Sequence, residues 1–517
     1  MVVGTTSHAG KSLLTAVLCR LLSRQGHRVA PFKGQNMALN AYVTQSGHEM
    51  GYAQAVQAWA AGVDPQVEMN PILLKPQGDM TSQVILQGEA VGRVNAAHYY
   101  RDYFDRGWGA ITQSLYRLQQ TYDWIVCEGA GSPAEINLKH RDLTNMRVAQ
   151  HLNAATILVA DIDRGGVFAH IVGTLQLLDP EERSLIKGFV INKFRGQRSL
   201  LESGLNWLEE HTQIPVIGVI PYLSQAFSAE DSLSLFERRS SQSRSELTIA
   251  VVRFSRIANF TDFEPLEAEP GIDLRYVQPG QFLGQPDAVI LPGSKTTLAD
   301  LQDLHHSGLA AQIQAYSAAG GMVFGICGGL QMLGDQVTDP EGLEGSIPQI
   351  PGLGLLPLTT QMHSEKVTCQ REVQAQEFPQ SWGWSMPPDR SVRGYEIHQG
   401  RTHLTQDEAV VALFCDGSLG WASRDRRVLG TYLHGVFNNG PWRRSWLNLL
   451  RTAKGFPPLP TDIPDYEQQR HQHLDAITDA IAPHLDLEPI LAKAMALARG
   501  TGVEPQRKLP KPMGNPQ

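Results

Sequence analysis

Short apolar runs, each closed by glycine or a polar residue and then followed by a stretch of helical spacing, recur along this chain and restrict its fold class. In the first half the runs are 28–31, 124–127, 156–160, 188–191 and 216–220. Residues 12–25 and 49–61 carry apolar side chains at helical spacing. A second series opens at 247–254 and continues through 288–291, 322–326 and the run before His434. Strand–helix alternation favours parallel strands, because each helix carries the chain back across the sheet. The expectation is an α/β protein with two doubly wound parallel-sheet domains. Residues 236–246 are rich in serine and charge and poor in core residues, so they read as a linker. The division expected is 1–235, the linker 236–246, a second domain 247–450, and a helical extension 451–517. The proline-rich end of that extension, from Val503, reads as disordered.

Composition narrows the function. A hydrophobic content of 42% and a charged content of 19% describe an ordinary soluble protein. A net charge of −8 without a basic stripe argues against a nucleic-acid partner. The five cysteines (19, 127, 327, 369 and 415) form no CxxC pair and fit a reducing compartment. No apolar run reaches the length of a membrane span, and the start lacks a signal-peptide pattern, so the cytoplasm is the expected location. Only Val2 and Val3 precede Gly4, so either the first strand is short or the natural start lies upstream.

Gly4-Thr5-Thr-Ser-His-Ala-Gly10-Lys11-Ser12 follows a strand and opens a helix. In such a loop backbone N–H groups cradle phosphate, the lysine neutralises its charge and the serine hydroxyl reaches Mg²⁺. The loop has five residues rather than four between Gly4 and Gly10. Glu128, just past a strand, is a candidate Mg²⁺ ligand or a solvated turn acid. Asp161 at the next strand tip fits a metal, substrate or structural role. Asn192 is a candidate purine contact or a strand cap. Lys33 ends a strand, where it can reach a phosphate or a carboxylate. Asn36 and Asn40 stand one helical turn apart. Glu49 is a candidate second Mg²⁺ ligand or an exposed acid in a first helical turn.

Cys327 follows the run 322–326 and precedes Gly328-Gly329. A nucleophile on a strand-to-helix elbow is exposed at the sheet edge, beside N–H groups that can face an oxyanion. Gly293 and Ser294, after the run 288–291, can complete that oxyanion hole with Gly328. His434 ends another strand and is the candidate base for the thiol, which is acyl-transfer chemistry. Position 436 is Val where a carboxylate would complete a triad, so another group orients His434 or the pair acts as a dyad. Glu396 and His398 share one face of an expected strand, where they line the glutamine pocket or the domain junction. A phosphate site and an amide-cleaving site in one chain point to ATP-driven use of glutamine nitrogen.

The segments GTTSHAGKS (4–12), PFKGQNMALN (31–40), MNPILLKP (69–76), CEGAGSPAEINL (127–138), ADIDRGGVFA (160–169), INKFRG (191–196), RIANFTDFEPL (256–266), LPGSKTT (291–297), FGICGGLQMLG (324–334), RGYEIHQG (393–400) and GTYLHGVF (430–437) run in one order. As a set the chain resembles the cobyric acid synthase family. The resemblance implies a dethiobiotin-synthetase-like domain using ATP and Mg²⁺, fused to a class I glutamine amidotransferase-like domain. It also implies adenosylcobyrinic acid a,c-diamide and L-glutamine as substrates, four peripheral carboxylates (b, d, e and g) amidated, and Cys327 and His434 as the catalytic pair. The family likewise lacks a glutamate two residues after that histidine. His8, Tyr52 and Gln197 depart from its usual residues. A cobyrinic acid a,c-diamide synthase is the nearest alternative, which the PFKGQNMALN and ANFTDF forms disfavour. A P-loop scaffold ATPase with a dead glutaminase-like domain is a second, and would lack the nucleophile.

Overall fold

The computed structural model describes residues 1–78, 80–223, 245–377, 384 and 390–500. Most of the expected linker and all of the tail from Val503 therefore lie outside the described residues.

In the N-terminal half, strands Val2–Gly4, Thr156–Asp161, Ile186–Phe194 and Val216–Pro221 lie side by side in parallel. Gly129 N donates to Val2 O, joining Trp124–Cys127 to the other edge, and Val29–Phe32 pairs in parallel beyond it. Alternate residues face opposite sides. Val2, Ile157, Val159 and Val190 enter one core, while Val3, Leu158, Ala160 and Ile191 enter another. Both faces are buried, which explains why these strands are continuous apolar runs.

The C-terminal half holds a seven-stranded sheet in the order Ile272–Val277, Leu247–Val252, Ala288–Leu291, Met322–Ile326, Val428–Thr431, Gly420–Ser423, Val410–Ala412. The first five are parallel and the last two antiparallel. Cys327 ends the middle strand and His434 follows its neighbour, so register alone brings them to one sheet edge.

Some elements depart from the sequence reading. Gln35–Met37 and Ile72–Gly78, with two further strands, make a mixed four-stranded sheet. Asn36 is therefore on a strand, and the helical face expected for Asn36 and Asn40 does not exist. Glu49–Gly51 is a strand paired antiparallel with Ala41–Val43, and the helix begins only at Tyr52. Leu358–Gln374 and Ser391–Leu404 form a long antiparallel hairpin. The helix Tyr466–Ile481 returns to the first domain: Leu474, Ile477 and Ile481 join its core, and Arg20 pairs with Asp475 at 2.8 Å. Among the described residues no helix is long and apolar enough to cross a membrane.

Candidate active site

Cys327 has φ 52° and ψ −107°, a left-handed conformation that a non-glycine residue holds only when its surroundings impose it. They do so here. Cys327 N donates to Thr431 O at 2.8 Å on the adjacent strand. A Cβ on Gly329 would stand 1.9 Å from Leu291 O, so only glycine lets the following helix press onto the sheet. A Cβ on Gly328 would meet Ser294 N at 2.9 Å. The Ser294 N–H and the Gly328 backbone thus adjoin beside the thiol, as an oxyanion hole requires. Ser294 Oγ donates to Asp300 Oδ2 at 2.5 Å, which fixes the loop. Gly293 lies against the histidine, a Cβ there being 3.2 Å from His434 Cε1.

His434 is 1% exposed and lines the same pocket as Cys327. Its Nδ1–H donates to Asp262 Oδ2 at 2.7 Å, while Gly435 N–H occupies Asp262 Oδ1 at 2.8 Å. Tyr395 stacks on the ring at 5.3 Å, and its backbone exchanges hydrogen bonds with that of His434. Burial pushes the imidazolium down, but the Asp262 carboxylate and the Cys327 sulfur outweigh it and lift His434 to about 10. His434 therefore rests as an imidazolium at neutral pH, beside the Cys327 sulfur. Asp262, from the RIANFTDFEPL segment, supplies the third member that the sequence reading lacked. Its signal was a buried acid with no other duty, invisible without the fold.

The pocket before Cys327 is a cleft of about 500 Å³ that opens to solvent, and it is lined by both domains. His398 lines it, held by Glu396 at 3.0 Å and by Gly400 O at 2.9 Å. Lys75 reaches it from the nucleotide domain. Lys75 and Lys366 clasp the two oxygens of Glu49, Lys75 at 2.7 Å. Burial would raise the Glu49 carboxyl, yet the two ammonium groups hold it at about 2. Glu49 is thus neither an exposed helix acid nor beside the phosphate loop. Both its oxygens are taken by lysines at the domain junction, and the Mg²⁺ role expected for it is withdrawn.

At the phosphate loop Gly10 has φ 103°, and a Cβ there would collide with Asn192 Nδ2 at 2.0 Å. Asn192 Nδ2 donates to Ala9 O at 2.9 Å, and its Oδ1 accepts from Lys193 N. Asn192 therefore braces the loop, with both ends of its amide engaged. Lys11 Nζ spans Thr6 O at 3.1 Å and Gly131 O at 2.9 Å. Ser12 Oγ donates to Glu128 Oε1 at 2.7 Å, and Lys33 Nζ meets the same oxygen at 3.0 Å. Gln57, which the sequence reading missed, holds Glu128 Oε2 at 2.5 Å. Asp161 pairs with Lys193 at 2.8 Å, the structural role.

Three observations fit a Mg–nucleotide here. The helix Lys11–Arg24 has no side-chain cap, so its first N–H groups suit phosphate. Thr5 Oγ1 is buried without a partner among the described residues and suits a phosphate oxygen. Ser12 and Glu128 offer hard oxygen donors side by side; among the described residues no cluster of three acidic, histidine or cysteine side chains forms a closed metal cage. The other thiols are quiet, since burial pushes Cys127 up to about 11 and Cys19 well above its ordinary range.

Comparison with known proteins gives this geometry its setting. Residues 1–235 match the model of the CobQ/CobB/MinD/ParA nucleotide binding domain, and residues 248–442 that of the CobB/CobQ-like glutamine amidotransferase domain. A cobyric acid synthase of Acaryochloris marina is 68% identical over 494 residues, covering 96% of this chain and 99% of the relative. One from Synechococcus sp. is 62% identical over 492 residues, covering 95% and 99%. One from Trichodesmium erythraeum is 61% identical over 491 residues, with the same coverage. Identity at this level, sustained over nearly both full lengths, places the chain in the cobyric acid synthase family.

Proposed function

We propose that the chain is a glutamine-hydrolysing, ATP-dependent amide ligase of cobalamin biosynthesis that converts the b, d, e and g carboxylates of adenosylcobyrinic acid a,c-diamide into carboxamides. The observation that carries this reading is the cavity before Cys327, which the nucleotide domain helps to line through Lys75. Nitrogen released there emerges against the domain that binds ATP.

The Cys327 thiolate attacks the side-chain amide carbon of glutamine. The developing oxyanion faces the loop of Gly293, Ser294 and Gly328. His434 gives its proton to the leaving nitrogen, and ammonia departs from a glutamyl thioester. Water, deprotonated by His434, then releases glutamate. Asp262 keeps the imidazole oriented and stabilises its charge throughout. In the other domain a corrinoid carboxylate oxygen attacks the γ-phosphorus of ATP and ADP leaves. Ammonia attacks the resulting acyl phosphate and phosphate leaves, which a free carboxylate could not do at neutral pH. Lys11 and the helix N-terminus offset the phosphate charge. Ser12 and Glu128 would hold Mg²⁺, which would screen that charge further. Lys33 keeps the Glu128 carboxylate in place.

Mass spectrometry of the a,c-diamide incubated with the protein, ATP, Mg²⁺ and glutamine tests this reading. Stepwise conversion to the hexa-amide is expected. Cys327→Ser abolishes conversion with glutamine and preserves it with ammonia. A protein that hydrolyses both ATP and glutamine but leaves the corrinoid unchanged acts on another carboxylate.

A further inference from the structure

Two charged side chains of opposite sign line the cavity before Cys327 and take no part in the chemistry above: Lys295 and Glu344. The other lysines of the cavity, Lys75 and Lys366, are both committed to Glu49, and His434 to Asp262. Lys295 follows Ser294 directly, so its backbone belongs to the oxyanion loop, and its N donates to Arg256 O at 3.0 Å. Lys295 feels the charge of Glu344, yet no direct ion pair joins the two among the described residues. Glu344 is fixed where it stands. Its carboxylate accepts from Leu298 N at 3.2 Å and from Thr297 Oγ1 at 3.5 Å. The backbone around it is anchored by Asp339, which accepts from Leu343 N at 2.7 Å and Glu344 N at 2.6 Å.

A glutamine whose amide carbon lies against Cys327 carries its α-carbon only about 4 Å further, three carbon–carbon bonds away. Its α-carboxylate and α-ammonium must then settle in this same cavity. Each needs a partner of opposite charge once water is displaced. We infer that Lys295 binds the α-carboxylate of glutamine and Glu344 its α-ammonium, so that the two form a zwitterion-reading pair. This rests on the reading of Cys327 as a glutaminase nucleophile. The electrostatics agree with the geometry. Burial, reinforced by Lys366 and Lys75, pushes Lys295 down to about 7. Burial pushes Glu344 up to about 7 against the pull of Lys295. Burial works against charge on both groups, and a zwitterion supplies each with a counter-charge at close range. The pair also explains selectivity: a peptide-bound glutamine has neither α-charge and leaves both groups buried and unmatched.

The test compares L-glutamine with L-glutamine α-amide, which lacks the carboxylate, and with glutaramate, which lacks the amine. Wild-type enzyme should lose about 100-fold in kcat/KM on each analogue, the scale of one charge-assisted hydrogen bond. Lys295→Gln should lose a similar factor on glutamine, mainly through KM, and should no longer distinguish glutamine from its α-amide. It should still reject glutaramate. Glu344→Gln should show the mirror pattern. Ammonia-dependent amidation reports whether each variant is folded. Should Lys295→Gln lose that activity too, Lys295→Met, which keeps the apolar stem, repeats the comparison. Variants that keep full discrimination against both analogues would overturn the assignment. A wild-type enzyme that hydrolyses no glutamine would instead overturn the glutaminase reading itself.

Discussion

The proton on His434 Nδ1 is the feature of this site most exposed to a single substitution. Asp262→Asn keeps the shape of the partner and removes its charge, so the imidazolium loses its main support. Glutamine hydrolysis should fall by about 10³- to 10⁴-fold in kcat while ammonia-dependent amidation persists, which steady-state assays with the two nitrogen sources would measure. The pH profile carries the same signature. His434 is lifted to about 10, so the alkaline limb of glutaminase activity should lie near that pH in the wild type and move down in the variant. For stability the sign is that of a raised folded-state value: the contribution is complete below the ordinary histidine value of 6.5 and is lost as pH rises through about 10. Cys327 and His434 were legible because each ends an apolar run that a parallel sheet must bury. Asp262 was not, because it lies 172 residues before its histidine in a short 3-10 turn. Lys295 and Glu344 were equally illegible, since nothing local marks where a charged side chain will point.

Among elements, the parallel strands of the two main sheets were readable except Ile272–Val277, and of the antiparallel ones only Ser391–Leu404 was. A strand buried on both faces advertises itself as a continuous apolar run, whereas Glu49-Met50-Gly51 spans three residues and runs straight into a helix. Its carboxylate then looked like part of that helix. In the structure it is the only link between Lys75 of one domain and Lys366 of the other among the described ion pairs. Glu49→Gln would leave two buried ammonium groups facing each other, so folding stability should fall by roughly 3 kcal/mol or more, read by calorimetry or denaturant titration. The acid dependence follows from its depressed value. The stabilisation is present above the ordinary carboxyl value of 4.5 and is lost as pH falls through about 2. In Glu49→Gln the stability curve should therefore flatten across that acid range. A variant with unchanged stability and an unchanged acid limb would mean the two lysines find other partners.

At the scale of the whole molecule, the two sites are joined by a continuous set of buried polar contacts. From Ser12 the contacts run through Glu128 to Lys33, whose carbonyl accepts from Asn70 Nδ2 at 3.0 Å. Asn70 Oδ1 accepts from Gly51 N at 2.9 Å, and the next residue, Tyr52, donates its N–H to Asn40 O at 3.2 Å. There the domains exchange reciprocal bonds: Phe260 N donates to Asn40 Oδ1 at 3.0 Å, and Ala41 N donates to Asn259 Oδ1 at 2.9 Å. Asn259 Nδ2 in turn lies 3.4 Å from His434 Nε2, and Tyr395, stacked on His434, donates its hydroxyl hydrogen to Ala41 O. The segment PFKGQNMALN and the segment ANFTDF, the second of which carries no chemistry when read alone, thus meet at the support of His434. Asn40→Ala removes the acceptor for Phe260 N and leaves that buried donor unpaired, at a cost of about 1–3 kcal/mol. Because the loss falls on the turn that carries Asn259 and Asp262, glutamine hydrolysis should drop by about tenfold in kcat. ATP affinity, measured by calorimetry, should stay at the wild-type value, since the phosphate loop keeps all its own bonds. An equal loss at both sites would mean that Asn40 merely holds the fold. A loss confined to glutamine hydrolysis would mean that the nucleotide domain, through one side chain, sets the geometry of the glutaminase.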